Sequence, residues 1–350
     1  MRHNPVLGAF LVIVNLAAVF LAAYLAIDAL DQSRLQSART EQSLNRLSDA
    51  LDRLGDRVGA SQAAAPAPSG RARAVPQAED GGPKEFVNNN LRDPKAEYGG
   101  GLVSRTQALP GNLNMIVNND AMVSSMWSYL VDSLAERNLD DLTKFEPVMA
   151  ERWEVSPDGL EYTIHLRKNV MWQPYVDPVT KKEVAAKPVT SGDFLFFWNT
   201  IQNKNVPCEP LRVYYEDLEG IGVVDDHTFT VRWKQPYSMA ENFTLGMQPL
   251  PEHYYRPDPS WSDEQFAEEF TSSQRNQWIV GTGPYKLVKW DKNQEVMMER
   301  DENYFGPAPY IQTRRIRLIP DNSVSFLEFK SGRLDSYGLL PEQWFEETPE

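Results

Sequence analysis

From Val6 to Ile27 the chain carries no charged side chain and is dominated by Leu, Val, Ala, Ile and Phe. About 22 residues at roughly 1.5 Å each cross a hydrocarbon core of about 30 Å. Arg2, His3 and the amino terminus precede this segment, and Asp28 and Asp31 follow it. The positive-inside bias then leaves the N-terminus in the cytoplasm and sends everything after Asp28 across the membrane. Residues 1–27 are thus expected to be an uncleaved single-pass anchor in the inner (cytoplasmic) membrane. The competing reading is a cleaved secretory signal, but the segment is long for a signal core and no Ala-x-Ala site follows it. In both readings the rest of the chain works in the periplasm or outside the cell.

The period then changes twice. Over residues 28–58, Leu44, Leu47, Leu51, Leu54 and Val58 alternate spacings of three and four, an a/d seam flanked by Arg46, Asp49, Asp52, Arg53, Asp56 and Arg57. This predicts a helical stalk, either a weak oligomerising coiled coil joining copies of the chain or a solvated single helix. Residues 59–96 lose the seam: Ala63-Ala-Ala-Pro66-Ala-Pro68 sits among Gly, Ser and charge, and so little apolar surface cannot offset ordering entropy. A flexible linker is expected, with the folded domain spanning 97–350.

Within that domain, short alternating runs and helical runs are interspersed. Gly101–Thr106 reads as a first strand, and Ala121–Leu134 as a helix with Met122, Met126, Tyr129, Leu130 and Leu134 on one side. Pro157-Asp158-Gly159 separates two alternating runs, a hairpin signal in which Gly supplies positive φ. Tyr162, Ile164 and Leu166 should face one way, and Thr163, His165 and Arg167 the other. Thr190 with Asp193 forms a capping-box-like start for a helix through Phe194-Leu-Phe-Phe-Trp198 and Ile201. Gly220–Val224 with His227–Trp233, and Gly281–Trp290 with Gln294–Arg300, read as two more strand pairs. Ile316–Ile319 is a strand, Val324–Phe329 a helix ended near Gly332, and Leu334–Leu339 a terminal strand. The class expected is mixed α/β (α+β).

Composition removes several functions. The formal net charge is -14, which opposes nucleic-acid binding, since phosphate contacts need a basic face. The single cysteine, Cys208, can form no intrachain disulfide, and four histidines supply no metal-ligand spacing around it. No nucleophile-elbow, zinc-helix or phosphate-loop motif is present. Gly281-Thr-Gly283 runs into Pro284 without a helix start, Glu268-Glu269 and Glu346-Glu347 are adjacent surface acids, and His165 is an outward strand residue. No cofactor, no metal and no catalytic residue is expected.

The order of these pieces resembles the extracytoplasmic solute-binding proteins of the oligopeptide, dipeptide and nickel transport group, family 5. The resemblance rests on Pro147-x-x-Ala-Glu-Arg-Trp153-x-x-Ser-x-Asp158-Gly159-x-x-Tyr162-x-Ile-x-Leu166-Arg167, Val170-Met-Trp172, and Val189-Thr190-x-x-Asp193-Phe194. Asp226-x-Thr228-x-x-Val231, Gly281-Thr-Gly-Pro-Tyr285, Arg300-x-x-Asn303-Tyr304-Phe-Gly306 and Gly332-Arg-Leu-Asp335 complete it. The pattern departs at Gln173–Pro188, an insertion where the family has a short turn. It also covers the first lobe alone, so the chain is expected to be a fragment lacking the second lobe, a one-lobed function being the alternative.

The resemblance implies a periplasmic binding protein-like type II lobe that binds peptides or similar small solutes for an ABC permease, without enzymatic activity. By the same resemblance, ligand contacts come from Gly111, Asn112, Leu113 and Asn114 and from Tyr337, Gly338 and Leu339. Backbone beside Gly111 and Gly338 could pair with an extended peptide. A membrane-anchored sensor or scaffold that kept the fold without transport is the competing function.

Overall fold

The computed structural model of the protein describes Asp93 and residues 95–347. The predicted anchor, the helical stalk and most of the linker lie outside the described residues. Among the described residues no helix is long and apolar enough to cross a membrane. Eight strands build the two main sheets: β1 (Gly99–Thr106), β2 (Ala150–Val155), β3 (Glu161–Leu166), β4 (Leu218–Asp225), β5 (Thr228–Trp233), β6 (Tyr285–Asp291), β7 (Glu295–Arg300) and β8 (Ile311–Leu318). The longer helices are α1 (Ala121–Leu130), α2 (Ser191–Gln202), α3 (Asp263–Ser272) and α4 (Asn322–Lys330), followed by α5 (Pro341–Glu347).

The first sheet has the order β1-β8-β7-β6, with β1 parallel to β8 and the other neighbours antiparallel. The second, β4-β5-β3-β2, is antiparallel throughout. Its β2–β3 hairpin turns where expected, with Gly159 at φ +73° and Asp158 Oδ1 accepting from Leu160 N at 3.1 Å. Tyr162, Ile164 and Leu166 are buried on one face, while His165 is half-buried beside Glu154. Arg167 departs from its expected outward position. It lies just past the strand, buried, with Nε donating to Val148 O at 2.7 Å.

Helix α2 covers the second sheet, stacking Phe194 on Phe229 with ring centroids 4.8 Å apart; burying such a ring contributes about 1.5–3 kcal/mol. The helix starts as the Thr190/Asp193 spacing predicts. Asp193 Oδ2 accepts from Thr190 N at 2.9 Å and from Trp172 Nε1 at 3.1 Å. Burial pushes the Asp193 carboxyl up to about 6, although the Thr190 amide and Trp172 pull the other way. Asp193→Ala should cost about 2–3 kcal/mol, because it removes the cap and strands a buried indole N–H. Asp193→Asn, which keeps an acceptor, should cost less; urea unfolding of both variants measures the difference.

Helix α1 lies against the first sheet, where Arg314 sits 4.0 Å from the Tyr129 ring centroid and its Nη2 donates to Tyr129 Oη at 3.0 Å. The helix is one turn shorter than its periodicity predicts. It stops at Leu130 because Leu130 O is taken by Thr282 N and Gly283 N, both at 2.9 Å, and Val131 turns extended. Leu134 is still fully buried, outside the helix. Gly281 and Gly283 owe their identity to this contact. A Cβ on Gly281 would stand 2.1 Å from Leu130 O, and one on Gly283 2.8 Å from Leu130 C and Tyr129 O.

The insertion Gln173–Pro188 is more than surface. Together with Met171 and Trp172 it forms two small antiparallel pairs, Met171–Trp172 with Lys187–Pro188 and Tyr175–Val176 with Glu183–Val184. It also sends Gln173 and Asp177 into the interior. Gln173 Nε2 donates to Gly283 O (3.1 Å) and Tyr285 O (3.0 Å). Asp177 Oδ2 accepts from Arg275 Nη2 at 2.7 Å, with both side chains under a tenth exposed. Cys208 is buried, and burial pushes its thiol up despite Arg212.

Candidate ligand-binding site

The C-terminal end of β1, the start of α4 and the segment after α4 converge on one polar cluster. Asp321 caps α4, its Oδ1 accepting from Val324 N at 2.8 Å, the carboxylate end that a helix N-terminus favours. Beside it, Asn322 Oδ1 accepts from Arg105 Nη2 at 2.7 Å and from Gln107 Nε2 at 2.9 Å. Arg105 Nη1 donates to Ile319 O at 3.3 Å. α4 ends at a turn with Gly332 at φ +71°, a conformation open to glycine.

The expected terminal strand Leu334–Leu339 is not one. The segment bends at Asp335 and carries no ladder. It is fastened to the edge of β1 at a single residue: Val103 N donates to Asp335 Oδ2 at 2.6 Å, and Asp335 N donates to Val103 O at 2.8 Å. Beyond that clamp, Tyr337 Oη lies 3.2 Å from Asn322 O and 3.1 Å from Gln343 Oε1. Its ring packs on Phe326 and Phe329, at centroid distances of 5.5 and 5.9 Å, and carries the Arg105 guanidinium at 5.3 Å. Gly338 is exposed, with nothing within 4 Å of where its Cβ would be. The backbone N–H and C=O groups of Tyr337, Gly338 and Leu339 have no hydrogen-bond partner among the described residues; the next bonded amide, Leu340 N, reaches Gln343 Oε1 at 3.0 Å.

The other predicted segment is built differently. Leu113 and Asn114 are fully buried. Leu113 N donates to Asn276 O at 2.7 Å, and Leu113 O accepts from Trp127 Nε1 at 2.7 Å. The Asn114 side chain bonds Asn276 Oδ1 and Ile116 N, both at 3.0 Å, and its own amide reaches Asn112 Oδ1 at 3.1 Å. With both main-chain groups of Leu113 occupied, no peptide strand can add there. Gly111 is exposed and Asn112 half-buried. No hydrogen bond or ring contact joins Gly111–Asn114 to Tyr337–Leu339. The cluster residues Arg105, Gln107 and Asn322 are absent from the sequence-based expectation. Their bonds link positions more than two hundred residues apart, and no local spacing signals them.

One half-buried acid stands apart from this cluster. Burial pushes the Asp132 carboxyl up to about 7, with Tyr304 opposing and Glu136 adding to the rise, and Asp132 Oδ2 has no hydrogen-bond partner among the described residues. Asp132 N donates to Thr282 Oγ1 at 3.1 Å, which ties its backbone to the Gly281–Gly283 turn, while the carboxyl lies near Tyr304 and Glu136.

Residues 144–348 match the family of bacterial extracellular solute-binding proteins, family 5 Middle. The periplasmic oligopeptide-binding protein OppA of Haemophilus influenzae is 25% identical over 276 residues, which cover 69% of this chain and 47% of that protein. The dipeptide-binding protein DppE of Bacillus subtilis is 26% identical over 209 residues, covering 55% and 34%. Among solved structures, DppA from Helicobacter pylori in complex with the peptide STSA aligns with a TM-score of 0.55 at 25% identity, covering 68% of this chain and 46% of that one. CtaP from Listeria monocytogenes, at 22% identity, shares the fold with a TM-score of 0.59 over 71% and 46%. The chain spans less than half the length of these relatives.

Proposed function

Because the chain belongs to family 5 of the bacterial extracellular solute-binding proteins, we propose that it is a substrate-binding component of an ABC importer, taking peptides and delivering them to a permease. Tyr337–Leu339 is the edge along which the peptide lies. The observation that carries this reading is the run of main-chain groups at Tyr337, Gly338 and Leu339 that have no hydrogen-bond partner among the described residues, held to β1 by Asp335 and flanked by the Tyr337 ring. A segment with open main-chain groups can add a strand through main-chain hydrogen bonds while tolerating varied side chains. The relatives named above for oligopeptides and dipeptides, and the solved complex with a tetrapeptide, support the same solute class.

Binding requires no covalent step, and the chain acts as a carrier rather than an enzyme. Residues 6–27 anchor it in the inner membrane, and residues 28–58 and 59–96 hold the domain away from the bilayer as stalk and spacer. The Leu44–Val58 seam is the surface through which copies associate.

The test is a melting curve of the full-length chain in detergent micelles, with and without a pool of mixed tetrapeptides. Ligand at about 100 times its Kd adds roughly 2.7 kcal/mol and raises Tm. An unchanged Tm, together with no heat of binding by titration calorimetry, would rule the reading out.

A further inference from the structure

The end of α1 meets the entry to β6 through a seam of three hydrogen bonds. Thr282 N and Gly283 N both donate to Leu130 O at 2.9 Å, and Asp132 N donates to Thr282 Oγ1 at 3.1 Å. Gln173 carries the seam into the insertion. Its amide donates to Gly281 O at 2.8 Å and its side chain to Gly283 O at 3.1 Å. The seam has no slack, since a Cβ on Gly281 or Gly283 would overlap the last main-chain atoms of α1.

An acid is built into this seam without a cation to meet it. Asp132 Oδ2 is shut off from solvent and has no hydrogen-bond partner among the described residues. The groups that face the carboxyl are the Tyr304 hydroxyl, from the segment between β7 and β8, and Glu136, four residues further along the chain. Tyr304 eases the charged form and Glu136 opposes it. The nearest influence of a cation is indirect: Arg167 acts on Tyr304 and is itself drawn to Glu151. An ionised carboxylate seeks donors on both oxygens, so a bare, enclosed Oδ2 beside a second acid favours the uncharged form. Asp177 in the insertion is served the opposite way, by Arg275 and by the amides of Val179 and Thr180.

We propose that Asp132 is a proton-sensitive latch: uncharged, it lets α1, the Gly281–Gly283 turn and the base of the insertion close on one another, and its ionisation loosens that seam. The sign with pH follows from the carboxyl being pushed up from 3.8 to about 7. In that window the closed seam keeps the proton and an opened, hydrated seam gives it up. Seam stability is therefore full below about pH 4, falls as pH rises, and levels off above about pH 7. The domain is firmest at this joint in mild acid and looser at neutrality.

The experiment is amide hydrogen exchange of the full-length chain in detergent micelles at pH 5 and pH 7.5. Exchange is read by mass spectrometry on fragments covering Gly281–Tyr285 and corrected for its intrinsic dependence on pH, so that it reports local opening. A carboxyl that titrates near 3.8 when open and near 7 when closed would shift the opening equilibrium by about seventyfold between these two pH values. Asp132 is only half-buried as a residue, and solvent screening lowers the expected loss of protection to at least about tenfold. Asp132→Asn keeps the shape without the charge and should hold protection within about threefold at both pH values. Tyr304→Phe removes the group that eases the charged form and should enlarge the loss. Asp193 and His253, which titrate elsewhere in the domain, are present in all three proteins, so only the differences between them count. A wild type whose protection is unchanged with pH would overturn the proposal, and so would equal losses in wild type and Asp132→Asn. Should Asp132→Asn not fold, judged by circular dichroism at pH 5, a loss no larger in Tyr304→Phe than in wild type would overturn it instead.

Discussion

Gly281→Ala should lower stability by about 3 kcal/mol or more, and so lower Tm by roughly 6–12 °C for a domain of this size. The added Cβ would stand 2.1 Å from Leu130 O, 3.1 Å from Leu130 C and 2.9 Å from Gln173 Oε1. Two of those three atoms are main chain at the end of α1, and they cannot step aside without breaking the bonds from Thr282 N and Gly283 N. Backbone strain at Gly281 is no part of the effect, since its φ is not in the left-handed region. Gly338→Ala is the matched control: it too adds one methyl to a glycine with ordinary φ, but into open space, and should change stability by less than about 0.5 kcal/mol. Thermal unfolding of the two variants side by side separates a contact effect from a glycine effect. Equal losses would discard the explanation.

Arg275→Ala should cost about 3–5 kcal/mol at neutral pH, because it leaves the Asp177 carboxylate buried without its cation. Burial by itself would push that carboxyl up. The Thr180 amide, Arg275 and the Val179 amide outweigh it and hold the carboxyl below the usual carboxylate range. The sign with pH follows from this. A depressed carboxyl contributes stability that is present above its unfolded value, near 3.8, and is lost as pH falls through the folded one. In the variant, protonating Asp177 relieves the unpaired charge. The gap between wild type and variant should therefore narrow below about pH 4. Adding Asp177→Asn to Arg275→Ala should recover much of the loss at pH 7, since the amide oxygen can still accept from Val179 N and Thr180 N. Urea midpoints at pH 7 and pH 3.5 test both statements. A gap that does not change with pH would point to packing instead of charge.

The elements set by local rules were readable from the chain. The Asp158-Gly159 turn, the Thr190/Asp193 helix start and the alternation of Tyr162, Ile164 and Leu166 each depend on neighbours within a few residues, and each stands where the spacing puts it. What escaped depends on distant partners. α1 continues to Leu134 by its own period and stops at Leu130 because a turn from Gly281–Gly283 occupies its last carbonyl. Leu334–Leu339 has the composition of a strand but meets β1 at Asp335 alone. The predicted ligand residues divide along the same line. Sequence position next to Gly111 suggests accessible backbone, yet Leu113 and Asn114 are consumed by Asn276 and Trp127. Tyr337–Leu339 keeps its groups open, and Arg105, the charged member of the cluster, is brought to it only by the parallel pairing of β1 with β8.

That parallel pairing also dictates an order of assembly. The second sheet is made of hairpins whose strands are near neighbours, so it can close as soon as its last turn has been made. β1 has no such option. Its partner strand and its clamp lie far downstream, Asp335 being 232 residues from Val103. At about 5–20 residues per second of synthesis, the earliest strand of the domain waits roughly 10–45 s for the segments that complete it. Throughout that interval β1 offers an unpaired edge of the kind that recruits foreign strands. The segment around Gly338 therefore comes into place only after every strand of both sheets has been synthesised.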